Sequence, residues 1–256
     1  MTAGADSVAE PGRMSFTGHL TELRRRLIRV VWAMAACSAG SYYYSDVLIG
    51  WLKRPLGGEL YFFSPTEAFW MTMKVSFFAG LFLSMPVLLY HVWRFISPGL
   101  LPRERRFALP FVALGSLFFV MGLLFCYFVV APFALQFLVG FGAQQGLKAM
   151  FSIGLYMDFL LKFLLAFGLV FELPLAITLL ARLGLVTPGF LARHRRYAVL
   201  VNAMIAAVLT PTTDVFNMML MMGPLLVFYE IGILGARLFG RKPMEDRVPE
   251  EAESGA

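Results

Sequence analysis

From Phe107 to Val130 the chain runs for 24 residues without one charged side chain. As a helix rising 1.5 Å per residue, that stretch reaches about 36 Å, more than the roughly 30 Å of a hydrocarbon layer. Lipid offers no water to backbone N–H and C=O groups, so a lone segment of this kind is stable there only as a helix. Four further runs read the same way: Val30–Tyr44, Met71–Phe95 with Pro86 inside it, Asp158–Leu183 and Val215–Leu238. Tyr197–Leu209 is shorter, at 13 residues, or about 20 Å of helix. The expectation is an all-α polytopic membrane protein with six transmembrane helices, the fifth of them short.

Composition narrows the function classes. Hydrophobic residues make up 59% of the chain and charged ones 15%, too apolar for an ordinary soluble domain. Cys37 and Cys126 sit inside apolar runs, which predicts buried free thiols and no disulfide framework. The chain has no GxSxG, no Gly-rich loop ahead of a helix and no His/Cys cluster with metal-ligand spacing. No catalytic residue, metal or cofactor is expected, and no nucleic-acid partner.

Orientation follows from Lys and Arg. Seventeen of them fall in the N-terminal region, the loops around Ile96–Arg106 and Gly184–Arg196, and the C-terminal end. The opposite loops hold three: Lys53, Arg54 and Lys148. The positive-inside rule then places both termini in the cytoplasm, with the even number of spans this requires. Residues 1–14 read as a disordered tail, 15–240 as the membrane domain and 241–256 as a second tail. Within Ser15–Arg29, Leu20, Leu23 and Leu27 recur on one face, which predicts a short amphipathic helix on the membrane surface before the chain turns in. Basic residues ahead of AACSAG also resemble a secretory or lipoprotein signal around Cys37, but the comparable spans that follow favour a first transmembrane helix. Ala131–Tyr156 reads as an outer loop containing a short helix, and no internal repeat is visible.

Several polar residues stand out. Glu172 lies deep in the fourth span, in FGLVFELP, two residues before Pro174. A carboxyl at that depth costs about 2.5–3.5 kcal/mol on insertion scales, so it reads as a functional site by default. Its plainer reading is a neutral acid that hydrogen-bonds a neighbouring helix. Lys162, one turn after Asp158, is expected to pair with that acid or to snorkel. Glu22 and Glu104 are each a lone acid among arginines. They are either local charge balance, or a pair of forked acceptors for incoming guanidinium groups. Met218, Met219, Met221 and Met222 are either an adaptable docking face or core and lipid-facing filler.

Six stretches in order carry a resemblance. They are HLTELRRRL (19–27), the SPTEAF region (64–69), VWRFISPGLLPRERR (92–106), FGLVFELP (167–174), the basic RRY before the short fifth span (195–197) and LTPTTDVF (209–216). Together they resemble the TatC family, the large multispanning subunit of the twin-arginine protein translocase, over residues 15–241. The resemblance implies a concave, glove-like arrangement of six helices without a channel of its own. It implies signal-peptide recognition with Glu22 and Glu104 receiving the twin arginines, and Arg24 beside them. It implies docking of a signal peptide or a single-span partner at Glu172 and Pro174, and places Asp214 and Pro55 at positions the family uses. The partners implied are small single-span Tat subunits, twin-arginine signal peptides of folded precursors, further copies of the chain in a receptor complex, and membrane lipids. The location implied is the inner membrane, with transport driven by the protonmotive force. His91, the longer TPTTD turn and Met218 depart from the family pattern. Two rival readings are an ion-coupled secondary transporter that uses Glu172, and a structural scaffold. The first would want midplane polar groups and a repeat.

Overall fold

The computed structural model describes residues 16–97, 108–212 and 214–240. Both tails, and the loop that carries Glu104, lie outside the described residues. The chain is helical nearly throughout, and its longest helices are apolar on several faces. By length and composition, three helical runs among the described residues can cross a membrane: Ala108–Gln144, Ile153–Arg182 and Val215–Phe239. A fourth is possible if the pair Pro65–Leu83 and Met85–Ile96, bent by 47°, acts as one span.

The first helix, α1 (Phe16–Tyr43), is continuous. The separate surface helix expected before a turn into the membrane is not there. Nothing between Arg29 and Val30 breaks the helical ladder, so the arginine-rich turns and the apolar turns form one rod. After α2 (Ser45–Leu52) come a tight turn at Arg54–Leu56 and a short strand, β1 (Leu60–Tyr61). The second span is α3 (Pro65–Leu83) followed by α4 (Met85–Ile96). The bend falls at Ser84, two residues before Pro86, whose ring cannot continue a straight ladder.

The third span corrects the expectation at Val130. Helix α5 (Ala108–Phe125) passes through a wide π turn at Cys126–Val130 straight into α6 (Ala131–Gln144). The widened turn brings Pro132 into the first turn of α6, where its missing N–H costs little, so the proline does not end the helix. Strand β2 (Phe151–Ser152) pairs in parallel with β1, Leu60 opposite Phe151 and Tyr61 opposite Ser152.

The centre of the molecule is α7 (Ile153–Phe171), which runs on through Glu172 into α8 (Leu173–Arg182). Phe163, Phe167, Leu160 and Met157 of α7 are fully buried. It packs against α5, α3 and α11. The α5–α7 crossing is close because both helices present glycine there. A Cβ on Gly122 would sit 2.6 Å from the Phe167 carbonyl oxygen, and one on Gly168 would sit 2.5 Å from the Phe119 ring. Helix α8 ends at Arg182, with Gly184 turning the chain at φ 74°, and α9 (Pro188–Arg193) occupies part of the expected basic loop, started by the Thr187 hydroxyl. Helices α10 (Arg195–Leu209) and α11 (Val215–Phe239) complete the chain, α11 lying along α8 and α10. Cys126 is buried, as expected; Cys37 is only half-buried, and both are free thiols.

Candidate functional site

Glu172 occupies the joint between α7 and α8. Its N–H donates to the Leu169 carbonyl at 3.1 Å, a tightened turn, and its own carbonyl accepts from Ala176 at 2.9 Å. The side chain enters a niche that exists because residue 115 of α5 is glycine. A Cβ there would lie 3.3 Å from Glu172 Oε2, 2.8 Å from Leu89 Cδ1 and 3.0 Å from Leu175 Cδ2. Glu172 Oε1 is buried and has no hydrogen-bond partner among the described residues. The bond to a neighbouring helix that the plainer reading wanted is therefore not made by that oxygen. An unsatisfied buried carboxyl oxygen costs about 1–3 kcal/mol, a debt that an incoming donor would remove. Pro174 is buried in the first turn of α8, one turn from the Thr178 hydroxyl, which donates to the Pro174 carbonyl at 2.7 Å.

Asp158 is not paired with Lys162. Both of its oxygens accept from Lys74 of α3, at 2.7 and 2.8 Å, while Lys162 is exposed. Lys74 lies near the start of the apolar run Met71–Phe95, and Asp158 at the start of the run Asp158–Leu183. The pairing of two spans was the missing information. A second unforeseen joint lies nearby. The Glu67 carboxylate accepts from the Phe63 and Gly154 amides, at 2.7 and 2.8 Å, and from the Ser152 hydroxyl. The Tyr127 and Tyr156 hydroxyls donate to the last carbonyls of α2, at Trp51 and Leu52. These bonds fasten the two loops on this side of the molecule to each other.

At the opposite end of α1, Glu22 accepts from Nε of Arg26 at 3.0 Å and from Nη2 of the same guanidinium. The pair is part-buried, its side chains 22% and 12% exposed. Around it lies a recess of about 230 Å³ lined by Glu22, Arg25, Arg26 and Arg29 of α1 and by Arg94 near the end of α4. Local charge balance therefore describes Glu22 as it stands, through Arg26 and not Arg25. Arg24 is exposed on another face of α1.

Pro55 sits in the turn Arg54–Leu56, which Gly57 closes at φ 65°. Asp214 is the N-cap of α11. It accepts from the Asn217 amide at 2.7 Å and from the Asn217 side-chain NH₂ at 2.8 Å. Burial works against its charged form, but those bonds and one involving Thr212 hold the carboxyl below its ordinary range. Of the methionines, Met221 is fully buried against the core and Met219 is 64% exposed, so no single methionine face exists.

The described residues form a helical membrane protein whose polar points include a buried carboxyl at a helix joint and an arginine-lined recess at one end, and which holds no metal-binding cluster among them. Its family is shown by likeness to known proteins. The family model for the Sec-independent protein translocase protein (TatC) matches residues 18–224. The TatC protein of Desulforapulum autotrophicum is 43% identical over 95% of this chain and 91% of its own length. That of Aquifex aeolicus is 39% identical over 91% of this chain and 98% of its own. A crystal structure described as the twin arginine translocase receptor TatC superposes with a TM-score of 0.77 at 38% identity, covering 87% of this chain and all of that one. The chain belongs to the TatC family. It is a subunit of the Sec-independent protein translocase, a membrane transport protein and not an enzyme.

Proposed function

We propose that this chain is the receptor and core subunit of its translocase. It binds twin-arginine signal peptides of folded precursors at Glu22 and Glu104, with Arg24 beside them, and assembles with small single-span subunits around Glu172, Pro174, Asp214 and Pro55. It self-associates in the receptor complex and spans the inner membrane six times with both termini in the cytoplasm. Beyond the three or four spans that length and composition support, this reading takes α1 and the 15-residue α10 as the remaining two, with the docking face on the glove-like concavity that the family resemblance implies. Export is driven by the protonmotive force. The observation that carries the reading is Glu22 in its arginine-lined recess, in a chain alike over most of its length to a structure described as a translocase receptor.

The recess suggests how recognition works. The Glu22–Arg26 pair is an i,i+4 contact on one helix. An incoming guanidinium can exchange with Arg26 and make a forked, charge-assisted contact in its place. Glu104 supplies the second acceptor. An ion-coupled exchanger carrying a proton on Glu172 gains no support, since the family is one of protein translocases. Precursor crosslinking in membranes tests the receptor role. Glu22→Lys and Glu104→Lys each reduce the crosslink yield of a twin-arginine precursor by at least about tenfold, the loss of one strong charged contact, while the variants still insert. Normal crosslinking by the double variant overturns the assignment.

A further inference from the structure

Among the described residues, Arg25, Arg29 and Arg94 converge on one recess without an acid of their own. Glu22, the acid that lines it, is engaged by Arg26. Arg94 donates to the Tyr90 hydroxyl at 2.9 Å, a neutral partner. Among the described residues, four guanidinium groups face one carboxylate in about 230 Å³. Cations gathered this closely need an anion, and guanidinium forks match phosphate geometry.

The neighbouring surface states which anion. Arg25, Ile28, Arg29 and Trp32 fall at i, i+3, i+4 and i+7 and share one face of α1. Ile28 is 46% exposed and Trp32 72% exposed. Because α1 does not break, the arginine turns pass directly into this apolar stripe, with Arg29 next to Val30 at the start of the apolar run. A phosphate bound at the arginines would therefore have an oily path beginning one turn away. Indole rings favour that boundary, and anionic lipid attracts basic residues beside a span. We infer that Arg25, Arg29 and Arg94 form a site for the phosphate of an anionic phospholipid, whose acyl chains lie along Ile28 and Trp32. The bound headgroup lowers the positive potential next to Glu22. The site itself requires only that the chain sit in a membrane, and holds whether or not Glu22 receives signal peptides.

The test is native mass spectrometry of the purified full chain in detergent with added dioleoylphosphatidylglycerol or dioleoylphosphatidylcholine. No signal peptide is present, so the outcome is separate from that of the receptor role. The phosphatidylglycerol is retained at least about tenfold more strongly. Arg25→Gln/Arg29→Gln/Arg94→Gln abolishes that preference, the matching lysine variant keeps part of it, and Trp32→Ala weakens retention. Equal retention of the two lipids by the unaltered chain, or an undiminished preference in a folded triple glutamine variant, overturns the site. Displacement of the lipid by millimolar inorganic phosphate would make it a site for soluble anions and overturn the lipid assignment.

Discussion

At the scale of single residues, the two acids differ in what holds them. Glu22 already accepts from Arg26 on its own helix, so under the proposed function signal-peptide binding there is an exchange of one guanidinium for another. Glu172 keeps a buried oxygen without a partner among the described residues, and under the same reading it receives a donor from an incoming partner. This difference separates two substitutions at residue 172. Glu172→Gln keeps the size and the acceptor, and transport stays near normal. Glu172→Ala removes the acceptor. An interhelical hydrogen bond in a membrane is worth about 0.6–1.7 kcal/mol, so partner retention in pulldowns falls by about threefold to twentyfold. If the Gln variant fails as badly as the Ala variant, ionisation matters and docking alone is not the role of this carboxyl. Sequence singled out Glu172 because a lone carboxyl in an apolar run is conspicuous. The niche over Gly115 was not legible, because nothing local in either segment says that they meet.

Among the elements, two of the apolar runs match helices to within a few residues: Tyr197–Leu209 against α10 at Arg195–Leu209, and Val215–Leu238 against α11 at Val215–Phe239. Reading failed where punctuation was given too much weight. The third run is expected to end at Val130, with a short helix inside the loop beyond it, yet a π turn carries the helix on without a break to Gln144. The change from arginine-rich to apolar at Arg29 looked like a turn, yet helical hydrogen bonding ignores side-chain polarity. The Lys74–Asp158 pair joins residues 84 apart, a distance that local pattern cannot bridge. The α5–α7 crossing carries its own prediction. At Gly122 an added methyl meets the Phe167 carbonyl, which belongs to a buried backbone and cannot swing aside. Gly122→Ala therefore destabilises the protein by about 1–3 kcal/mol, read as a lower temperature of aggregation in detergent. Gly140→Ala, where an added Cβ meets nothing within 4 Å, leaves that temperature unchanged.

For the whole molecule, polar work is divided between two ends. One end carries the stapled loops, with Glu67 holding Phe63, Ser152 and Gly154 while two tyrosines hold α2. The other carries the arginine recess of α1 and α4. Between them α7 is the buried core against which α3, α5 and α11 pack. That division fits a receptor that reads a short charged motif at one surface and passes the attached helix toward Glu172. The direct test is binding of a fluorescent twin-arginine signal peptide to the purified full chain in lipid nanodiscs, beside the same peptide with both arginines replaced by lysine. Lysine keeps the charge but loses the forked geometry. The account predicts at least about tenfold weaker binding of the lysine peptide, with the difference abolished in Glu22→Gln/Glu104→Gln. Equal affinity for the two peptides, or a difference that survives that double variant, would contradict it.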